Sequence, residues 1–147
     1  MSALIASQQP GGPITAIRLI NDPQIGAVAP ILLTHYATPD RVAALLALGD
    51  LSVLGAQLGD GPQAVTRPAL NTCVAFSRDW GEAHMLRSFK TRSDLQAFDR
   101  DGRPDYLYLF DGTTWRGTLR FQSFWLSWKS LSEMLDTIQQ AQEGVAA

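Results

Sequence analysis

The densest polar cluster in the chain is Arg78, Asp79, Trp80, Gly81 and Glu82. These residue types suit a small charged ligand. A guanidinium takes a phosphate or carboxylate through two parallel hydrogen bonds. An indole stacks on a base or covers an apolar group. The carboxylates of Asp79 and Glu82 accept hydrogen bonds from ribose hydroxyls. The same residues equally suit a turn held by a local ion pair, with the tryptophan lying on the core. A third chemistry is hydrolysis, which needs two carboxylates about 5–10 Å apart, one with a raised pKa. Asp79 and Glu82 are the candidate pair for it.

Other groups extend the candidate site. Arg87, Arg116 or Arg120 supplies a second phosphate contact, Tyr106 or Tyr108 an alternative stacking surface, and Asp50 another acceptor for ribose. Arg87, Lys90 and Arg92 enclose Phe89, and such interleaving of cations and aromatics suits nucleotides or single strands. It also suits an ordinary polar surface. A metal site is not expected. A catalytic zinc wants three ligands and a structural zinc four, and Cys73, His35 and His84 lack ligand spacing. No Gly-x-Ser-x-Gly elbow or Cys–His pattern supports a nucleophile. Gly55, Gly59 and Gly61 follow no strand directly and are wrongly spaced for a dinucleotide fingerprint. No cofactor and no catalytic residue is therefore assigned.

Composition narrows the partners. The net charge of -2 argues against a protein held to duplex DNA by overall charge. Residues 1–13 have no basic region and no long apolar run, so no secretory signal is expected there. No stretch approaches the length of a membrane span. Cys73, the only cysteine, lies in an apolar run, which fits a reducing cytoplasm. Arginine outnumbers lysine 10 to 2. A GC-rich genome or a demand for bidentate donors explains that ratio. Twelve of the 13 aromatic residues and nine of the 12 basic residues lie between Phe76 and Lys129, so the second half is where a site is expected.

The elements that must position these groups follow from local signals. Residues 1–13 read as a flexible lead-in, with Gln8, Gln9, Pro10, Gly11, Gly12 and Pro13 as turn formers. Residues 14–20 are β-branched and read as a first strand. A helix through Ile31, Leu32 and Tyr36 accommodates Pro30 if Gly26 is near its N-cap. Thr38, Pro39 and Asp40 start a second helix, with Gly49 at its C′ position. Residues 55–68 read as a loop and residues 71–77 as a strand. Ser93 to Gln96 has capping-box spacing for a short helix ending near Phe98. Residues 106–110 and 115–121 form a hairpin around Asp111 and Gly112. Tyr106, Tyr108 and Phe110 share one face of it. Ser130 to Glu133 opens a last helix whose stripe is Leu131, Met134, Leu135 and Ile138. The expected class is α+β: a single domain over residues 14–143, a small antiparallel sheet with a C-terminal hairpin, three to four helices, and a frayed tail at 144–147.

Four stretches resemble a family of small uncharacterised proteins encoded by phages and prophages. They are Asp22 with the run 26–33, the run 49–55 (Gly-Asp-Leu-Ser-Val-Leu-Gly), the cluster 78–82, and the hairpin from Tyr106 to Trp115. The resemblance covers about residues 14–120. It departs at the front, where the family reads aromatic-Asp-Gly-Tyr-Pro and this chain has Asn21, Asp22 and Pro23. Asp22 and Ser52, which lie in these stretches, join the candidate ligand set. The resemblance implies a phage accessory protein in a bacterial cytoplasm, of the kind that counters host defence.

Together these readings give a non-enzymatic protein that sequesters a nucleotide-type immune signal. The first alternative is an inhibitor that binds a host defence protein, such as an anti-CRISPR. The second is a small hydrolase. Four large aromatics in residues 121–128 exceed what one face of a small domain covers, so a homo-oligomer is expected.

Overall fold

Ala3, Leu4, Ile5 and Ala6 are all fully buried. An apolar run buried on both sides marks an interior strand. The computed structural model describes residues 1–61 and 71–146, and this run is its central strand. The elements in order are β1 (Ala3–Gln8), β2 (Ile14–Leu19), α1 (Ile25–His35), α2 (Pro39–Leu46), β3 (Leu51–Val53), β4 (Val74–Ala75), α3 (Phe76–Trp80), β5 (Arg87–Phe89), α4 (Arg92–Gln96), β6 (Tyr106–Phe110), β7 (Trp115–Phe121), β8 (Phe124–Trp125), β9 (Lys129–Ser130) and α5 (Leu131–Ala146). The content is mixed α and β. The strands form one sheet in the order β4-β3-β2-β1-β6-β7-β8, with β5 also on β2 and β9 also on β7.

Several expectations are corrected. The lead-in at residues 1–13 contains β1, which pairs antiparallel with β2 and parallel with β6. The turn formers begin only after it. The sheet is larger than expected, with nine strands among the described residues, and it is not purely antiparallel, since β2–β3 is parallel too. Among the described residues five helices stand where three to four were expected. Gln24 is the N-cap of α1, so Pro30 lies inside the helix and not in its first turn. Gly26, whose carbonyl loses its donor there, is exposed, so water can serve it. The strand expected at 71–77 forms only at Val74 and Ala75, with Thr72 in an isolated parallel bridge to Gln57 before it. Thr91, not Ser93, caps α4 by accepting from the Asp94 amide. Helix α5 continues to Ala146, into the expected frayed tail. The loop expected at 55–68 is described only to residue 61, and its remainder lies outside the described residues.

The sheet carries helices on both faces. Ile5, Ile17, Leu19, Tyr108, Phe110 and Trp115 pack with Val28, Leu32, Val42, Leu45 and Leu131 from α1, α2 and α5. Leu4, Ala6, Ile14, Ala16, Leu107 and Leu109 pack with Leu95 of α4 and the aromatics Phe89, Phe98, Trp125 and Trp128. The expected alternation along β6 therefore holds, with both of its faces covered. Buried polar tips on the first face find carbonyl partners. Tyr108 donates to Pro23 (2.6 Å), Tyr36 to Gly55 (2.7 Å), and the Trp115 indole to Tyr36 (2.8 Å). Among the described residues no helix is long and apolar enough to cross a membrane.

Deleting residues 1–8 tests the place of β1. Loss of a central strand abolishes the cooperative thermal transition, whereas loss of a flexible lead-in would leave the midpoint unchanged.

Candidate functional site

The cluster at 78–82 is organised by backbone geometry. Phe76 begins a single helical turn because its amide donates to the Asp50 carbonyl (3.1 Å). The Asp79 carboxylate turns back to accept from the Ala75 amide (2.7 Å). Gly81, at φ 71°, ends the turn in the left-handed region that glycine adopts without strain. Arg78 then meets Asp79 through Nε (2.9 Å) and Nη2 (3.0 Å). Its remaining donors go to the carbonyls of Leu58, Gly59 and Cys73 at 2.7–3.0 Å. A guanidinium has five N–H donors, and all five are occupied.

The local ion pair is thus the reading that the geometry supports for this cluster. Arg78 ties the segment 58–59 to α3 and has no donor left for a phosphate. The Asp79 side chain is fully buried, so it is not placed to attack a substrate, while Glu82 is exposed. Trp80 packs edge-on against Phe76, with its indole nitrogen unpartnered among the described residues.

The other candidates lie apart from this cluster. Asp50 accepts both Nη atoms of Arg87, at 2.6 and 2.8 Å, and the Arg18 amide at 2.9 Å. Asn21 donates to the Ser52 hydroxyl and carbonyl, and Asp22 beside it lines a recess of about 120 Å³ with Val28, Ile31 and Leu54. Tyr108 is fully buried below the same loop, and burial raises its hydroxyl pKa above the ordinary tyrosine range. Tyr106 stacks on Tyr108 at 6.4 Å. Arg116 pairs with Asp111 (3.3 Å) and Arg120 with Asp105 (3.2 Å). Every arginine proposed for phosphate, Arg78, Arg87, Arg116 and Arg120, is already in an ion pair. His84 bonds the Ala47 carbonyl, and among the described residues no cluster of His, Cys, Asp and Glu is placed to hold a metal.

One buried charge escaped the sequence reading. Arg18 lies in β2 and is 6 % exposed. Burial, then the nearby Arg87 charge, lowers its pKa. It donates to the Ser2 hydroxyl and to the carbonyls of Arg100 and Gly102. Nothing in residues 14–20 marks this arginine as buried, because its partners come from Ser2 and from the distant loop at 100–102.

A recess larger than the one beside Asp22 lies elsewhere. A cleft of about 540 Å³ opens between α1, β7 and α5. Its walls are Ile25, Leu119, Leu126, Met134 and Ile138, with Ser127, Lys129 and Glu133 among its polar residues. Helix α5 can approach β7 here because of Gly117, where a Cβ would lie 2.9 Å from the Met134 sulfur. Directly beyond the wall, β7 and β8 form a hairpin tip at Gln122 and Ser123. Phe121 and Phe124 flank it, 54 % and 52 % exposed, with ring centroids 6.0 Å apart. Trp125 and Trp128 instead turn into the second core cluster. The aromatic run 121–128 signalled this region, but the cleft itself needs α1 and α5 as well. No protein-family model, curated protein or solved structure matches the chain.

Two measurements test these assignments. Arg78→Lys keeps the charge but loses the fork, leaving Asp79 buried with an incomplete partner. A lost hydrogen bond to a charged group costs about 1.5–3 kcal/mol, and at about 2–4 °C per kcal/mol a midpoint loss of several degrees is expected. A ligand arginine without structural work would leave the midpoint unchanged. The second test concerns Asp111. Burial raises its pKa, but the amides of Thr114 and Thr113 and the Arg116 guanidinium outweigh that, so it sits below the ordinary carboxylate range. Such a group stabilises the fold above its unfolded pKa of about 3.9, and the gain is lost as pH falls through the folded value. Asp111→Asn is therefore expected to lower the midpoint at pH 7, with the difference shrinking below about pH 4. A constant difference down to acid would remove the carboxylate from the account.

Proposed function

We propose that the chain is a non-enzymatic binding protein that acts through protein–protein contact, made by the Phe121–Phe124 tip and the adjoining cleft. The observation that carries this reading is one of chemistry. The cleft of about 540 Å³ is walled mainly by apolar side chains, and two half-exposed phenylalanines stand at its edge. Rigid aromatic anchors beside an apolar pocket are the usual centre of a protein interface. In the phage setting that the resemblance implies, the partner is a host defence protein or a subunit of the assembly that meets it.

Sequestration of a nucleotide signal stays as the second reading, on a different surface. Arg92 lies over the Trp128 ring at 5.6 Å, with Lys90 two residues away, and neither cation has an ion pair among the described residues. This is where phosphate and base would have to meet, since the other candidate arginines are paired.

The double variant Phe121→Ala, Phe124→Ala separates the two readings. Exposed substitutions change stability by about 0.5 kcal/mol or less, so its melting midpoint stays close to that of the wild type. Its association, measured by sedimentation of the chain alone and by pull-down against bacterial defence proteins, is lost. A panel of cyclic and ADP-ribose-type nucleotides leaves the midpoint unmoved. A nucleotide-induced rise in the midpoint that Arg92→Ala removes, with association untouched by the double variant, would overturn the protein-contact reading in favour of the other.

A further inference from the structure

The cleft face carries a protrusion and a recess of one chemistry, and from this we propose that its partner is a second copy of the same chain. The tip of each copy lies in the cleft of the other, about a two-fold axis. This rests on the reading of the face as a protein-binding surface, and it names the partner. Any host protein then meets the assembled pair.

A two-fold interface is isologous, so one patch must complement itself. The protrusion here is Phe121 and Phe124, held edge-to-face at a two-residue hairpin loop. The recess is walled by Ile25, Leu119, Leu126, Met134 and Ile138. Leu119 and Leu126 are joined by the backbone bond from the Leu126 amide to the Leu119 carbonyl (3.0 Å). They lie two residues along from the phenylalanines, past the Arg120–Trp125 pair, and so on the same face by strand alternation, which puts protrusion and recess side by side. That placement lets a two-fold axis between them satisfy both at once. The cleft of a single copy leaves its own phenylalanines exposed, and the pairing removes both exposures.

Charge at the cleft points the same way. Lys129 and Glu133 both line it, both are exposed, and neither has an ion pair among the described residues. A partner of one sign, such as a nucleic acid or a uniformly acidic peptide, attracts one of them and repels the other. A second copy presents the opposite sign to each, with Lys129 of one chain facing Glu133 of the other. Pairs at an interface rim chiefly fix register and exclude wrong partners, while the desolvated aromatics at its centre carry most of the affinity.

Size-exclusion chromatography with light scattering is the test, supported by circular dichroism to show that each variant is folded. The wild type is expected at twice 16.0 kDa. Phe124→Glu, at an exposed position, is expected at 16.0 kDa with an unchanged spectrum. Lys129→Glu places like charges opposite each other and weakens self-association roughly tenfold, and adding Glu133→Lys restores it. That rescue is specific to a self-complementary rim. A wild type of 16.0 kDa at every concentration overturns the proposal, as does a dimer that survives Phe124→Glu. A monomer that binds a different purified protein through Phe124 overturns the second copy and leaves the protein-binding face standing. A monomer in which Phe124→Glu changes no association overturns both.

Discussion

The carboxylate of Asp50 fills a seam on which much of the sheet depends. The outer edge of β2 is shared by two short strands. Strand β3 pairs at Leu19 and β5 pairs at residues 14–16. Between them the amide of Arg18 has no strand to donate to, and a buried amide without an acceptor costs about 1–3 kcal/mol. Asp50 accepts it and at the same time takes Arg87, the end residue of β5, through both oxygens. Its own carbonyl accepts from Phe76 and starts α3. A single residue before β3 thus joins β2, β5 and α3. Arg18 extends the junction to Ser2 and to the loop at 100–102 through its other donors.

This junction explains the arginines that drew attention in the sequence. A guanidinium suits phosphate because it is planar, carries several donors and is weakly hydrated. Those properties also suit the stapling of backbone carbonyls where short strands and irregular loops leave many unpaired. This fold has such loops at 54–61 and 99–105, and Arg78 and Arg18 close them. The aromatic skew follows in part. Phe98 has the guanidinium carbons of Arg18 and Arg87 at 5.6 and 5.5 Å from its centroid, so arginines and aromatics pack together as structure.

How far the sequence could be read depended on whether the deciding contacts were local. Helix α2 was legible from Thr38 and Pro39, the β6–β7 hairpin from its alternation, and the stripe of α5 from spacing. Each is fixed by neighbours within a few residues. Strand β1 was not, because a four-residue apolar run beside a Gly/Pro turn carries no period, and its burial comes from β2 and β6 together. The pairing of Arg78 with Asp79 was one of three open readings, and the carbonyls of Leu58, Gly59 and Cys73 decide for it. The cleft was illegible for the same reason, since Ile25, Leu119 and Ile138 meet only once α1 and α5 are laid against β7.

The exposed tip follows from how β7 is used. Its outer edge is divided like that of β2, with β9 pairing at Arg116 and Gly117 and β8 at Arg120 and Phe121. The chain between β8 and β9 must leave the sheet and return within residues 126–128, and this places Leu126 on the cleft wall while α5 starts beside Gly117. The strand therefore ends beyond the reach of α5, with its last inward position, Phe121, overhanging open space. Folding half-buries Leu119 on that face but leaves Phe121 without a helix to cover it, and Phe124 opposite it has none either. Two adjacent aromatics fixed in that position by a tight turn, one of whose residues, Gln122, adopts φ 57°, are a local conflict that the single chain does not resolve. Conflicts of this kind are expected at functional surfaces, and here the apolar surface that would resolve it begins at Leu119 and Leu126, two residues along on the same face.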